Sequence, residues 1–268
     1  MTEIFENIRQ LYTFRQPCAE LSAHIEFFSE SSLEETFHYT GHSDFSIKMF
    51  PSWTPTMYIN LGAAYQITIG QRKFHISPGQ GILILRNTVV ERHNTPADHI
   101  FTVKFHPGSL EVLLGIPQKT LAGKVVDLAT ILPTALVRNI RQAALLGEKA
   151  GLMETYLLKQ ARRQKDHACR FVQQAIELYL AAGMQHAIGE MAGGLAVSDK
   201  TFNRNFQRVI GTPPKPYLSG LRARSALSAY VNNRKSFTPS AYGYFDMSHF
   251  YKDVSGFTGE KLSEIYYR

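Results

Sequence analysis

The sequence predicts an α+β fold, with an antiparallel β domain in front and an all-helical domain behind. Two observations support this prediction. The first hundred residues contain short segments rich in β-branched and aromatic residues, whereas apolar residues recur at helical spacing after Pro133. The predicted division is a β-barrel sensor or association domain over 1–132, a helical linker over 133–165 and a helical domain over 166–268.

The β domain is predicted from five segments with strand character: TMYINL, AYQITIG, RKFHI, GILILR and HIFTVKF. The turn signals SPGQG and NTPAD separate some of them. Alternation places apolar residues on one side of several strands, namely Tyr65, Ile67, Ile69, Ile82, Ile84, Phe101, Val103 and Phe105. Closely spaced short strands of this kind are typical of an antiparallel sandwich or small barrel, here over roughly residues 10–110.

The linker is predicted to be two helices. One apolar face is marked by Leu136, Ile140, Ala143 and Ala144. This face packs either on the β domain or on a second subunit, and the second alternative predicts a homodimer through residues 133–160.

Composition limits the class of protein. Hydrophobic residues make up 44% and charged residues 19%, which is typical of a globular chain. The sequence contains no run of eighteen apolar residues, the length that would predict a membrane span. The N-terminal residues do not resemble a secretion signal. Cys18 and Cys169 form no CxxC motif and are interpreted as reduced thiols. These features predict a cytoplasmic protein.

The positive charge is concentrated in the second part of the chain. Residues 1–159 contain 14 Lys and Arg and 14 Asp and Glu, whereas residues 160–268 contain 15 and 8. The whole net charge of +7 therefore lies beyond residue 159, in the end of the predicted linker and the predicted helical domain. A basic module behind a neutral one suggests a polyanionic partner.

A helix-turn-helix is predicted over HAIGEMAGGLAVSDKTFNRNFQRVIGTPP. Ser198 is a good N-cap for its second helix, Gly211 a C-cap, and Pro213 and Pro214 prevent continuation. The apolar face of the first helix consists of Ile188, Met191, Ala192 and Leu195. The second helix is predicted to bury Phe202, Phe206 and Val209.

The second of these helices carries side chains suited to reading DNA. Asn203 can bind adenine, and Lys200 or Arg204 can bind guanine, through paired hydrogen bonds in the major groove. Gln207 lies in the same polar cluster. Arg208, near the helix end, is predicted to contact phosphate. The alternative at this point is an ordinary amphipathic surface helix.

The sequence resembles the C-terminal DNA-binding domain of the AraC/XylS family of bacterial transcription regulators over roughly residues 166–268. The first motif is carried by Ala192, Leu195, Val197, Ser198, Thr201, Phe202, Arg204, Phe206, Gly211, Pro214 and Tyr217. The second motif is GYFDMSHFYKDVSGFTG, with Gly243, Asp246, Ser248, His249, Phe250, Phe257, Thr258 and Gly259 in place.

The resemblance implies a sequence-specific regulator with two reading helices joined by one long helix that begins near Pro216. These helices would enter successive major grooves of double-stranded DNA, and RNA polymerase is a further partner. The second reading helix would present Met247, Ser248, Tyr251 and Lys252. The resemblance also implies that Phe202, Phe206, Phe250 and Phe257 are core and that His249 is packed and hydrogen-bonded.

The sequence departs from the family pattern at several points. Ala196 stands where the family often has glycine, so a left-handed turn there would be strained. Pro239 lies in the segment before the second motif, where a supporting helix is expected to be short or displaced. Met247 replaces a glutamine and could contact only a thymine methyl.

The family often carries a cupin-like β-barrel sensor in front, which agrees with the strand prediction. No effector is identified, and no catalytic residue, cofactor or metal is predicted. The seven histidines before residue 107 were weighed as metal ligands, with Glu91, His93 and His99 or His106 as the best set: His24, His38, His42, His75, His93, His99 and His106.

Two alternatives to a regulator remain open from the sequence. One is a metal-dependent cupin-type enzyme with an appended helical domain, and the other is a protein-interaction module that no longer reads DNA. Trp53, Tyr58 and Tyr65 are aromatic core or, less favourably, the lining of a small-molecule pocket.

Overall fold

A computed structural model describes residues 11–41, 43–161, 167–259 and 261–262. The strands are β1 Tyr12–Arg15, β2 Ile25–Ser31, β3 Phe45–Met49, β4 Pro55–Asn60, β5 Tyr65–Ile69, β6 Arg72–Ile76, β7 Gly81–Leu85, β8 Val90–Asn94, β9 Ile100–Phe105 and β10 Val125–Asp127. The helices are α1 Leu33–Thr40, α2 Ser109–Leu114, α3 Thr134–Gln142, α4 Leu146–Ala161, α5 His167–Ala181, α6 Ile188–Gly194, α7 Asp199–Val209, α8 Pro214–Asn232 and α9 Met247–Thr258. The predicted α+β class is confirmed.

The strands form two antiparallel sheets. One has six strands in the order β1-β2-β9-β4-β7-β10, and the other has four in the order β3-β8-β5-β6. All five predicted strand segments are confirmed as β4, β5, β6, β7 and β9. Among the described residues the ladders do not join the two sheets into a closed barrel, so the β domain is described here as a two-sheet arrangement.

The central strands of the larger sheet are buried on both faces. On β7, Ile82 and Ile84 contribute to the core between the two sheets, whereas Leu83 and Leu85 contribute to a core shared with helices. A strand covered on both sides reads as a continuous apolar run, which explains the GILIL sequence of β7.

The linker helices close the outer face of this sheet. Ile140 of α3 and Ala150, Met153 and Leu157 of α4 are fully buried in the same core as Leu83. Ala144 is exposed and lies outside α3, so the predicted apolar face is shorter than expected. Because these apolar faces are already covered by the β domain, they offer no support for the homodimer inferred from them.

The helical half is organised around α8. Phe202 and Phe206 of α7 pack with Tyr217 at the start of α8, and Phe250 of α9 packs with Tyr230 near its end. No helix in the described part of the chain is both long and apolar enough to cross a membrane.

The two halves share an extensive contact. Trp53 packs edge-on against Tyr217 of α8 with ring centroids 5.6 Å apart, and Phe50 lies 5.4 Å from Phe257 of α9. Gln118 adds a polar bridge: its Oε1 accepts from the N–H of Gly108, and its Nε2 donates to the carbonyls of Trp53 and Ile210. The end of α7 is thereby joined to the β domain.

Candidate nucleic-acid interface

Helices α6 and α7 are joined by a tight turn with defined hydrogen bonds. The N–H of Val197 donates to the carbonyl of Ala192, and the N–H of Ala196 donates to the carbonyl of Gly193, both at 3.0 Å. This pair of bonds is the Schellman arrangement that ends a helix, and it requires a left-handed residue at the position of Ala196. Ala196 adopts φ 53°, as the sequence predicted for a left-handed turn.

Helix α7 begins at the predicted cap. The Ser198 hydroxyl accepts a hydrogen bond from the Thr201 N–H at 3.3 Å. Phe202, Phe206 and Val209 are fully buried in the core of the helical half. The opposite side of the helix is exposed and carries three long polar side chains in one row: Lys200, Arg204 and Gln207.

Two other predicted contact residues on α7 have partners within the protein. The side chain of Asn203 is half-buried, and its Nδ2 donates to the Asp199 carbonyl at 2.9 Å, which leaves the amide oxygen for another partner. Arg208 forms an ion pair with Glu111 of α2, with Nη2 and Oε1 3.1 Å apart. A phosphate contact by Arg208 through Nη2 therefore requires that this ion pair open.

The second helix-turn-helix is supported differently from the first. Before α9, the chain forms only a short 3-10 turn at Pro239–Tyr242, followed by Gly243 at φ 70°. The proline and the left-handed glycine limit this segment to a single turn, as expected from Pro239. Asp246 then caps α9, its carboxylate accepting from the His249 N–H at 2.7 Å.

A partly buried polar contact holds α9 on α8. The Asp253 carboxylate accepts from Arg222 Nη2 at 3.0 Å and from the Tyr244 hydroxyl at 2.9 Å. The Arg222 guanidinium also lies 4.6 Å from the centre of the Tyr244 ring. Burial raises the pKa of Tyr244, and the nearby carboxylate raises it further, so the phenol stays a hydrogen-bond donor at neutral pH.

The predicted contact residues of α9 lie on its outer surface. Ser248 and Lys252 are exposed, and Lys252 also lines a cavity of about 440 Å³ between α8, α9 and the Trp53 loop. Tyr251 is 37% exposed, and its hydroxyl lies 3.2 Å from that of Tyr230. His249 is exposed, and its Nδ1 accepts from the Phe245 N–H at 3.4 Å, so it is hydrogen-bonded but less packed than the resemblance implied.

Two of the candidate histidine ligands have other hydrogen-bond partners. His93 bonds to the hydroxyls of Ser46 and Thr68, and His99 bonds to Glu30 at 2.7 Å. His42 lies outside the described residues. Within the described ranges, no group of three or more His, Cys, Asp and Glu side chains could hold a metal ion. The best candidate set, with Glu91, therefore forms no common site.

The three aromatic residues weighed as a pocket lining also separate. Trp53 packs on α8, whereas Tyr58 and Tyr65 flank the guanidinium of Arg92 at 5.7 Å each, inside the β domain. Arg92 is 2% exposed and donates to Asp98 and to the hydroxyl of Tyr12. Burial raises the pKa of Tyr12 to about 12.

Several polar atoms of this interior have no hydrogen-bond partner in the described part of the chain. They are Tyr65 Oη, Arg92 Nε and both amide atoms of Asn94. Tyr65 and Asn94 also line a cavity of about 430 Å³ at the end of the smaller sheet. A buried polar group without a partner is costly, and such groups cluster at binding sites.

The sequence analysis missed three residues in different parts of the molecule. Glu111 lies in a helix that gives no motif signal, Arg92 is hidden in the polar strand sequence VERHN, and Phe245 stands as an exposed aromatic directly before α9. Only Phe245 had a readable signal, because it is an apolar residue within a helix-turn-helix turn.

The fold and the site define a two-part protein: an antiparallel β domain attached to a basic helical domain with two helix-turn-helix units. No family profile and no curated protein matches the sequence. Among solved structures, ToxT from Vibrio cholerae is similar at 10% identity and a TM-score of 0.47, covering 84% of this chain and 97% of that one. The AraC-like transcriptional activator CuxR is similar at 15% identity and a TM-score of 0.28, covering 83% and 88%.

A third similar structure covers a smaller part of the chain. It is a cupin domain of an XRE-family transcriptional regulator from Enterobacter cloacae, at 12% identity and a TM-score of 0.26, covering 35% of this chain and 93% of that one.

Proposed function

We propose that the protein is a sequence-specific DNA-binding transcription regulator of the AraC type, acting in a bacterial cytoplasm without catalysis of its own. One observation carries the proposal: α7 exposes Lys200, Arg204 and Gln207 in a row, while its opposite side is anchored by fully buried aromatic rings. A capped, rigidly backed helix with this side-chain chemistry fits the major groove of DNA.

Electrostatics support the same function. The excess of Lys and Arg lies entirely beyond residue 159, where it would neutralise phosphates and release their counterions. DNA affinity is therefore expected to fall steeply as the salt concentration rises. In this mechanism, phosphate contacts provide affinity, and a few side chains on α7 and α9 select the bases.

We further propose that the β domain responds to a small polar effector. Support comes from the interior around Arg92, where Tyr65 and Asn94 have unpaired polar atoms beside the 430 Å³ cavity. A small polar compound that raises the unfolding temperature of the wild type, but not of Asn94→Leu, would support this site. If such compounds stabilised both proteins equally, the site would lie elsewhere.

The test of DNA reading is a comparison of specific and random DNA. Replacing Arg204 with alanine is expected to cost about 1–3 kcal/mol of binding free energy on a selected duplex and little on random duplex. Lys235→Ala is the matched control, because Lys235 is an exposed cation in the loop after α8. Equal losses on both DNAs for Arg204→Ala would remove Arg204 from base reading.

The two alternatives have their own signatures. A protein-interaction module would show no mobility shift with any genomic fragment. A metal-dependent enzyme would hold stoichiometric iron, zinc or manganese in the purified protein, but the separation of His93, His99 and His106 gives no support to it.

A further inference from the structure

Phe245 is the most exposed large apolar side chain of the described chain, at 92%. It directly precedes Asp246, the N-cap of α9, and so stands at the N-terminal end of the second reading helix. In helix-turn-helix proteins the residues at this end of the second helix reach the base edges. Phe245 therefore lies where a side chain can touch a base.

The fold does not explain this phenylalanine. An apolar residue before an N-cap commonly packs against the fourth helical residue, here Phe250. Phe250 is already fully buried by other rings, with Phe237 and Tyr230 at 4.7 Å and 5.3 Å between centroids. Because Phe245 remains almost wholly exposed, it contributes nothing comparable to that core.

The first turns of α9 combine apolar and polar groups. Met247 is half-buried and Tyr251 is partly exposed with its hydroxyl held against Tyr230, whereas Ser248, His249 and Lys252 are exposed. Phe245 itself offers a base only an apolar ring. Its natural counterpart in the major groove is the 5-methyl group of thymine, while lysine meets phosphate.

We propose that Phe245 selects DNA sequence by covering thymine methyl groups in the half-site bound by α9. This proposal rests on the proposed DNA-binding function. DNA is favoured over a protein partner because residues 166–268 contain 12 Lys and Arg against 8 Asp and Glu, and α7 of the same half presents the row of Lys200 and Arg204. The second unit thereby adds a methyl contact to the hydrogen bonds that α7 provides.

The experiment uses the full chain and DNA in which thymine is replaced by uracil. A preferred duplex is first selected from a random pool with the wild-type protein. Thymines in each half-site are then changed one at a time to uracil, which removes the methyl group and leaves the phosphates and hydrogen-bonding edges unchanged. Affinity is measured for the wild type and for Phe245→Ala at one salt concentration.

The wild type is expected to lose about three- to fivefold in affinity at one or two thymines, the effect of uncovering one buried methyl group. Phe245→Ala should bind the thymine and uracil duplexes equally. Lys252→Ala should bind both more weakly and keep the thymine preference. Phe37→Ala, an exposed phenylalanine of the β domain, should match the wild type on both.

Two results would overturn the proposal while leaving DNA binding intact: indifference of the wild type to uracil at every position, or an undiminished thymine preference in Phe245→Ala. Failure of the wild type to select any duplex would overturn both this proposal and the proposed function. Retained affinity and preference in Phe245→Ala would indicate that the ring serves a protein partner instead.

Discussion

Ala196 shows how a single residue sets the geometry of the first helix-turn-helix. Its left-handed backbone, at φ 53°, lets Val197 and Ala196 bond back to the end of α6, which turns the chain toward α7. An alanine in this conformation is strained by contact between its Cβ and its own backbone, at a cost of about 1 kcal/mol.

Replacing Ala196 with glycine is expected to stabilise the protein by about 0.5–1 kcal/mol, because the steric cost exceeds the entropy that glycine loses on folding. Urea denaturation of both proteins measures the difference. Ala192→Gly serves as the control. Because Ala192 is buried within α6, the same change there should destabilise the protein. An unchanged or lower midpoint for Ala196→Gly would contradict this account.

At this scale the sequence predicted what depends on neighbours in the chain. The Ser198 cap and the strain at Ala196 follow from local rules, and both are present. The hydrogen bond from Asn203 back to Asp199 is also local, but it depends on a rotamer that the sequence does not specify. The ion pair between Arg208 and Glu111 joins residues far apart in the chain, so no local pattern could predict it.

Helix α8 is the element on which the two halves of the molecule meet. A Cβ at Gly220 would lie 2.6 Å from the ring of Trp53, so glycine is required for this close approach. Trp53 itself adopts φ 50°, which is unusual for a bulky residue. Its N–H donates to the carbonyl of Arg86 at 2.9 Å, and its carbonyl accepts from Gln118 Nε2 at 3.1 Å. The loop and the helix therefore fit each other at one point.

Gly220→Ala is expected to displace the Trp53 ring and to destabilise the protein by about 1–3 kcal/mol, the usual cost of overpacking. Trp53 is the only tryptophan of the chain, so its fluorescence reports this contact directly. Emission should shift to longer wavelength as the ring gains contact with water. Gly256→Ala on α9 is the matched control, because its added Cβ meets nothing within 4 Å. An unshifted spectrum for Gly220→Ala would disprove the fit.

Elements were predicted best where the pattern was apolar and periodic. Helix α7 begins directly after Ser198, and the apolar strand β7 lies where GILILR predicted it. Strand β8 was missed because its sequence, VERHN, is polar, and tertiary burial of Arg92 and Asn94 overrides that pattern. Helix α1 was also missed, since its sequence offers little apolar periodicity.

For the whole molecule, the ion pair between Arg208 and Glu111 links α7 to the β domain. Arg208 is 47% exposed and Glu111 14%, so the pair is partly screened and worth at most about 1 kcal/mol. Such a weak contact can hold α7 in the free protein and still yield to DNA phosphate.

Glu111→Gln is therefore expected to raise DNA affinity by about two- to fivefold at low salt, because Arg208 no longer has to leave a carboxylate. Arg208→Gln should lower affinity, and the double variant should resemble Arg208→Gln. Fluorescence anisotropy with labelled duplex measures all three. Glu177→Gln removes an equal charge from exposed α5 and should have a smaller effect. Equal gains for Glu111→Gln and Glu177→Gln would show a net-charge effect alone.

Acid is expected to destabilise the contact between the halves. Burial lowers the pKa of His24 and of His106, and His24 lies 3.4 Å from Ser109, which also accepts from Gln173 of α5. Below the ordinary histidine pKa of 6.5, these histidines bind protons in the unfolded chain but stay neutral in the folded chain. The free energy of unfolding therefore decreases as the pH is lowered.

Calorimetry between pH 8 and pH 5 should show an unfolding temperature that is level at first and then declines below about pH 6.5. The double variant His24→Gln/His106→Gln should flatten this decline. His38→Gln, on exposed α1, should leave it unchanged. The same slope in the wild type and the double variant would assign the acid sensitivity to other groups.

The side-chain amide of Gln118 restricts how modular this protein can be. This amide accepts from an N–H at the start of α2 and donates to a carbonyl of the Trp53 loop and to a carbonyl at the end of α7. A chimaera that exchanged the helical half for that of another protein would leave this amide with an unpaired donor unless the new half offered a carbonyl at the same place. Transplanted specificities should therefore succeed when residues are exchanged on α7 itself, and fail when the boundary is drawn between the halves.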